Sequence, residues 1–161
     1  MNVWRLMAHH AEPETAIRWT RREDRIAIGW GSAGDVRQYK SPEEVSAGIL
    51  RGWPDSHNAG VGGKNLWDFL HTIKIDDIVI VGNGKSRELV VQVTGDYEWA
   101  DENSVPVFGG DYRHQRKFRL LPFNPDAVWK LAGGLGPGYG VRWTLVRCKD
   151  EITNADLKYK L

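Results

Sequence analysis

The sequence holds a single cysteine, Cys148, in 161 residues. That excludes an internal disulfide framework and a four-cysteine zinc site, and such scarcity points to a reducing, cytoplasmic setting. Net charge is nearly absent: 22 Lys and Arg against 21 Asp and Glu leave +1. Bulk charge therefore demands neither a nucleic acid nor a membrane surface, and any such case must rest on local patches. No apolar run approaches the roughly 20 residues of a membrane-spanning helix, so no membrane partner is expected. The opening Met1-Asn2-Val3-Trp4-Arg5 lacks the basic-then-apolar layout of a signal peptide. Aromatic residues, by contrast, are plentiful: eight Trp, five Tyr and four Phe. With 41% hydrophobic and 27% charged residues, the chain is not of the disordered class. Its length suits one domain spanning residues 1–161, able to bury roughly two-thirds of its unfolded surface.

Punctuation along the chain predicts a mixture of short elements. Val3 to Met7 reads as a buried strand. Glu12-Pro13-Glu14 opens a helix running to about Arg22, with Pro and acids where a first turn accepts them. Ile26, Ile28 and Trp30 alternate with Ala27 and Gly29, a strand pattern. Ser41-Pro42-Glu43-Glu44 carries the Ser-x-x-Glu capping box and opens a helix whose Val45, Ile49 and Trp53 share one face. Residues 55–63 are polar and glycine-rich and read as loop. Leu66 to Leu70 reads as a short helix capped by Asn65. Ile78 to Val81 and Leu89 to Thr94 flank Gly82-Asn83-Gly84-Lys85, a hairpin signal. Further strands are expected at Tyr112 to Leu121 and Val141 to Cys148, with a helix after Asn124-Pro125-Asp126 and a last helical turn in the tail. Six strands and three or four short helices in irregular order predict an α+β fold: a strongly bent sheet, mostly closed into a barrel, with helices outside.

Catalytic motifs fail on inspection. Gly84-Lys85-Ser86 imitates the end of a phosphate-binding loop, but Val79 stands where the leading glycine belongs and a strand follows. Gly133-Gly134-Leu135-Gly136 follows a helix instead of opening one, against a dinucleotide fingerprint. Trp30-Gly31-Ser32-Ala33-Gly34 lacks the first glycine of a nucleophile elbow. The five histidines, His9, His10, His57, His71 and His114, form no His-Glu-x-x-His pair, and no metal or other cofactor is expected. Cys148, in an apolar strand, reads as inert packing. The nearest nuclease-like pattern, Pro125-Asp126 with Asp156-Leu157-Lys158, divides between a helix and the tail.

Two features survive. Aromatics gather at element ends: Trp30 before a Gly-Ser loop, Trp67 and Phe69 after the glycine-rich stretch, and Tyr97, Trp99, Phe108 and Tyr112 around one long connection. Rings so placed either stack on a planar ligand or cap the end of a sheet. The second feature is Arg113-His114-Gln115-Arg116-Lys117-Phe118-Arg119. Alternation puts Arg113, Gln115, Lys117 and Arg119 on one face and His114, Arg116 and Phe118 on the other. Such a strand is either a phosphate-contacting edge or a charged strand guarded against aggregation.

Several short motifs occur in a suggestive order: Gly29-Trp30, Trp67-Asp68-Phe69, Asp76-Asp77-Ile78-Val79, Gly95-Asp96-Tyr97 and His114-Gln115-Arg116. In that order the chain, over about residues 3–123, resembles the EVE-like and YTH-like branch of the PUA-like superfamily. It is most similar there to the N-terminal modified-DNA-reading domains of McrB-type modification-dependent restriction systems. One departure is Asp76, where the branch usually has Gly. The resemblance implies a twisted barrel flanked by helices, with an aromatic cage for one modified base flipped out of nucleic acid, DNA before RNA. The base would be 6-methyladenine or a modified cytosine. Trp30, Ser32, Trp67, Tyr97 and Trp99 would bind the base, and Arg113, Arg116, Lys117 and Arg119 the backbone. Partners would be the nucleic acid and the effector domains of a restriction system. The reading is of a non-catalytic binder; its alternative is a small nucleic-acid-processing enzyme or nuclease on the same scaffold.

Overall fold

The computed structural model describes residues 1–101, 108–134 and 143–160. They form an α+β fold built on one six-stranded mixed sheet. Its strands are β1 (Val3–Met7), β2 (Arg25–Ile28), β3 (Ile78–Gly82), β4 (Arg87–Trp99), β5 (His114–Leu121) and β6 (Leu145–Arg147). The helices are α1 (Pro13–Glu23), α2 (Pro42–Gly52), α3 (Ala59–Trp67), α4 (Pro125–Leu131) and α5 (Asn154–Tyr159). Strand order is β2-β5-β4-β3-β1-β6. Only the β1–β3 pair is parallel among the described residues.

Local signals account for most of these elements. The Ser41 hydroxyl accepts the Glu44 N–H at 3.2 Å, while the Glu44 carboxylate accepts the Lys40 N–H at 2.8 Å. The cap of α2 thus works as expected, with its return arm one residue earlier. Asn124 accepts the N–H groups of Asp126 and Ala127 and starts α4. In the β3–β4 hairpin Val79 faces Val91 and Val81 faces Leu89. Gly84 takes φ +86°, a left-handed conformation that costs glycine little.

Four expectations are corrected. The sheet is open: β2 and β6 are its two edges, and among the described residues no pairing joins them. β4 carries a register shift between Val93 and Tyr97 where it pairs with β5. Among the described residues five α-helices, not three or four, accompany it. The glycine-rich stretch is helical from Ala59, so Asn65 lies inside α3 and Asn58 precedes it. Propensity is overridden there by close packing. A Cβ on Gly62 would lie 2.7 Å from the Trp30 indole, and one on Gly63 would lie 2.5 Å from the Pro42 carbonyl and against the Ser46 hydroxyl. Finally, the last strand is short, beginning at Leu145 and leaving Trp143 outside it. Positions 141 and 142 lie outside the described residues.

The sheet has two covered faces. One carries Trp4, Leu6, Ile26, Ile28, Val79 and Val91 beneath α1, α2 and α3. The other carries Val3, Ile78, Ile80 and Val90 beneath α4 and α5. In β5 His114, Arg116 and Phe118 are buried while Lys117 and Arg119 are exposed, as alternation predicts, but Gln115, expected on the face of Lys117, is also fully buried and donates to the Tyr112 carbonyl.

Candidate functional site

The site starts from one residue in an unusual backbone state. Trp30 lies two residues past the end of β2, where a strand end was expected, and it opens a 3-10 turn over Gly31–Ala33 with φ 59° and ψ 39°, a region that bulky side chains seldom enter. Two partners hold it. The Asp111 carboxylate accepts the Trp30 N–H at 3.0 Å and the Gly31 N–H at 2.7 Å. His114 Nε2 lies 3.2 Å from the Trp30 carbonyl, and Nδ1 lies 2.8 Å from the Tyr97 hydroxyl. A carbonyl can only accept, so Nε2 carries the proton, Nδ1 accepts from Tyr97, and the Tyr97 oxygen accepts the Val36 N–H at 3.2 Å. Burial holds the His114 imidazole down to about 4, which keeps it neutral in this relay. Burial also drives the Tyr97 phenol upward.

The Trp30 indole is thereby fixed between two cavities. Its Nε1–H donates to Asn58 Oδ1 at 3.1 Å. The larger cavity, about 820 Å³, lies between α3 and the β1–β6 edge, with Trp4, Trp30, Trp143, Lys64 and Asn65 in its wall. The smaller, about 140 Å³, lies beside Trp53 and Tyr112, and Trp30 and Asn58 border both. Trp4 is buried, and its Nε1–H donates to Asp77 at 3.2 Å. Val61 and Trp143, 59% and 62% exposed, stand at the rim. A π-helical turn over Asp68–Thr72 brings both end residues to the cavity. Asp68 accepts from Lys64 Nζ at 2.6 Å and from the Thr72 hydroxyl at 2.7 Å. Arg147, also in the wall, contacts Asn2 and Glu151. His10 meets the Thr144 hydroxyl at 2.8 Å. Burial, then His9 and Arg5, lower its pKa. The cavity thus joins flat apolar walls, side-chain amides and cationic groups at one opening.

Of the expected base-binding residues, Trp30 alone borders the large cavity. Ser32 turns its hydroxyl toward the Ile49 carbonyl at 3.5 Å. Trp67 packs on the His71 ring at 4.0 Å, and Trp99 on His114 at 5.0 Å. Tyr97 is buried in the relay behind Trp30. The expected phosphate contacts divide as well. Arg116 is 3% exposed and donates to the carbonyls of Gly95, Phe69 and Ile73; it is a structural cation pinning the β4 bend to the turn before β3. Arg113 donates to the Gly110 and Ala100 carbonyls. Lys117 and Arg119 are exposed, but strand alternation sets them on the sheet face of α4 and α5, opposite Trp4 and Trp30. The acids of the nuclease-like pattern have other duties: Asp126 pairs with Arg87, and Asp156 caps α5 and pairs with Lys160. Cys148 is buried and its thiol is pushed up to about 12, as an inert core cysteine should be.

Trp4, Asn58, Lys64, Asn65, Trp143 and Arg147 enter the site without having been singled out for it. The glycine spacing of 58–65 was the available signal, because glycines facing inward mark a helix pressed against something flat. Residues 4–124 match the family model described as a domain of unknown function (DUF8426). The chain belongs to that family. The DUF8426 span runs from Trp4 to Asn124, the cap residue of α4, and so contains Trp30, Asn58, Lys64 and Asn65. Trp143 and Arg147 lie beyond it. No curated protein matches the chain.

Proposed function

We propose that this DUF8426 chain is a non-catalytic reader that takes one modified nucleobase, flipped from nucleic acid, into the cavity beside Trp30. The observation that carries the reading is the fixed indole. A strained tryptophan clamped by Asp111 and His114 is a preorganised stacking wall at an opening of about 820 Å³. That volume lies in the range of small-molecule sites, roughly 300–1,000 Å³, and it exceeds what an unmodified planar base needs. Flipping a base costs a few kcal/mol, and stacking on an aromatic face returns about 1–3 kcal/mol. Lys64 and Arg147 at the same opening are the cations suited to flanking phosphates. The motif order that resembles the EVE-like and YTH-like branch supports the same reading, with duplex DNA as the favoured carrier and a restriction system as the setting. Kinship to PUA-like barrels is part of this proposal; the open sheet with its bulged β4 is compatible with a distorted version.

The deciding experiment titrates the chain with short duplexes carrying a single 6-methyladenine, 5-methylcytosine or 5-hydroxymethylcytosine, beside the unmodified duplex. Tighter binding of one modified duplex is expected. Trp30→Ala should weaken that binding about ten- to a hundredfold, and it should leave the unmodified duplex nearly unaffected because phosphate contacts persist. Thermal melting of the same variant separates this from unfolding. A folded Trp30→Ala protein that still discriminates as the parent does would refute the reading.

A further inference from the structure

Asn65 is 6% exposed, sits inside α3 and borders the large cavity. Its side-chain amide makes no hydrogen bond to any described residue. Nearby buried polar groups are satisfied. Asp77 accepts from Asn2, Trp4 and Lys74. Arg116 has its three carbonyls, and His114 has both ring nitrogens engaged. Polar side chains this buried usually have a protein partner; the Asn65 amide has none and is instead open to the cavity it borders. Helix packing alone does not call for it, since leucine has the same branched arrangement of heavy atoms and a better helix propensity.

We infer that Asn65 is the specificity-determining reader of the cavity, its amide pairing with the hydrogen-bonding edge of the nucleobase that Trp30 stacks upon. The inference rests on the nucleobase reading above and adds the residue that recognises the edge. An amide presents an acceptor beside two donors. That pair complements a base edge on which an amino N–H adjoins a ring-nitrogen acceptor, as in adenine and cytosine. A singly methylated amino group still keeps one N–H for the contact. Asn58 assists as a donor: its Oδ1 already accepts from Trp30 Nε1 and from the Ser56 hydroxyl, so its amide nitrogen is the group left for a ligand. A base whose edge did not match, modified or not, would leave Asn65 unpaired in the complex, and this is how a polar site discriminates between base types more strongly than an apolar one.

The test uses the intact chain with Asn65→Leu and Asn65→Ala, read by thermal melting without nucleic acid and by titration with the 6-methyladenine, 5-methylcytosine and unmodified duplexes. At least one variant should melt at or above the parent temperature, since no hydrogen bond within the protein is lost and helix propensity rises. Both should bind the preferred modified duplex about tenfold or more weakly, with binding of the unmodified duplex unchanged. Clear destabilisation of both variants would show a structural role and overturn the inference. So would parent-like discrimination by the folded variants while Trp30→Ala loses it; in that case the cavity reading stands and the Asn65 assignment falls. A parent protein that prefers no modified duplex overturns both together.

Discussion

Trp30 owes its position to two neighbours far along the chain, and each gives a measurable consequence. Asp111 is the acceptor for the N–H groups of both Trp30 and Gly31. Asp111→Ala should therefore cost roughly 1 kcal/mol of stability, read by denaturant titration, and should weaken ligand binding more than that figure alone implies because the indole loses its clamp. His114 predicts a pH effect. Its folded-state pKa is held down to about 4 from an ordinary value of 6.5. The unfolded chain therefore binds the proton first, and stability falls as pH drops from about 6.5 toward 4. The loss across that window is about 3 kcal/mol. His114→Gln should flatten this slope even if it lowers stability throughout, and denaturant titration at a series of pH values checks it. A slope unchanged in His114→Gln would assign the pH effect to other groups. Trp30 was legible in the sequence as an aromatic before a Gly-Ser turn, although the strand it was expected to close ends at Ile28. Its partners were not, because no local pattern tells that Asp111 and His114 converge on a backbone 80 residues earlier. Asp76 is a similar case. It adopts φ 74°, a left-handed conformation that Asp tolerates better than most residues, and nothing in its sequence context announced it.

At the scale of elements, α3 is where sequence reading and structure part most instructively. Gly60, Gly62 and Gly63 argue for loop if propensity alone is weighed. The helix forms because glycine lets it approach α2 and the Trp30 ring, a tertiary gain that no window of sequence displays. The three positions should respond differently to alanine. A Cβ at Gly60 meets nothing within 4 Å, so Gly60→Ala should leave stability unchanged or raise it by up to about 1 kcal/mol. A Cβ at Gly63 meets the Pro42 carbonyl at 2.5 Å and the Ser46 hydroxyl, so Gly63→Ala should cost about 1–3 kcal/mol. Chemical denaturation of the pair decides it, and equal effects would mean that the α2–α3 contact is looser than its geometry. Elements with strong local punctuation were legible instead. The Ser41 and Asn124 caps and the Asn83-Gly84 turn each satisfy backbone groups within four residues, so their signals lie inside a short window. The β5 alternation was legible too, but whether its buried Arg116 served a ligand or the fold was not, because that depends on carbonyls of Gly95, Phe69 and Ile73 delivered by other elements.

At the scale of the whole molecule, the proposed function requires one side of the sheet to meet nucleic acid. The exposed cations Lys117 and Arg119 share a face with α4 and α5, while the Trp30 cavity opens on the other side between α3 and the β1–β6 edge. Strand alternation could sort the β5 residues into two faces. It could not say which face the cavity occupies, since that follows from the sheet order and the placement of α3. On the proposed reading, a duplex that delivered a base to the cavity would lay its flanking phosphates near Lys64 and Arg147, whose side chains are 72% and 49% exposed. Each has a carboxylate neighbour, Asp68 and Glu151, but pairs this exposed are weak and exchange readily. Lys64→Ala and Arg147→Ala should each lower affinity similarly for modified and unmodified duplexes, and each should reduce the salt dependence by about one unit of slope. Lys117→Ala and Arg119→Ala should change neither, because no phosphate beside the cavity reaches their face. Binding measured across a salt series with all four variants gives the comparison. Flattening by Lys117→Ala and Arg119→Ala with Lys64→Ala and Arg147→Ala silent would move the nucleic acid to the α4–α5 face and detach it from Trp30.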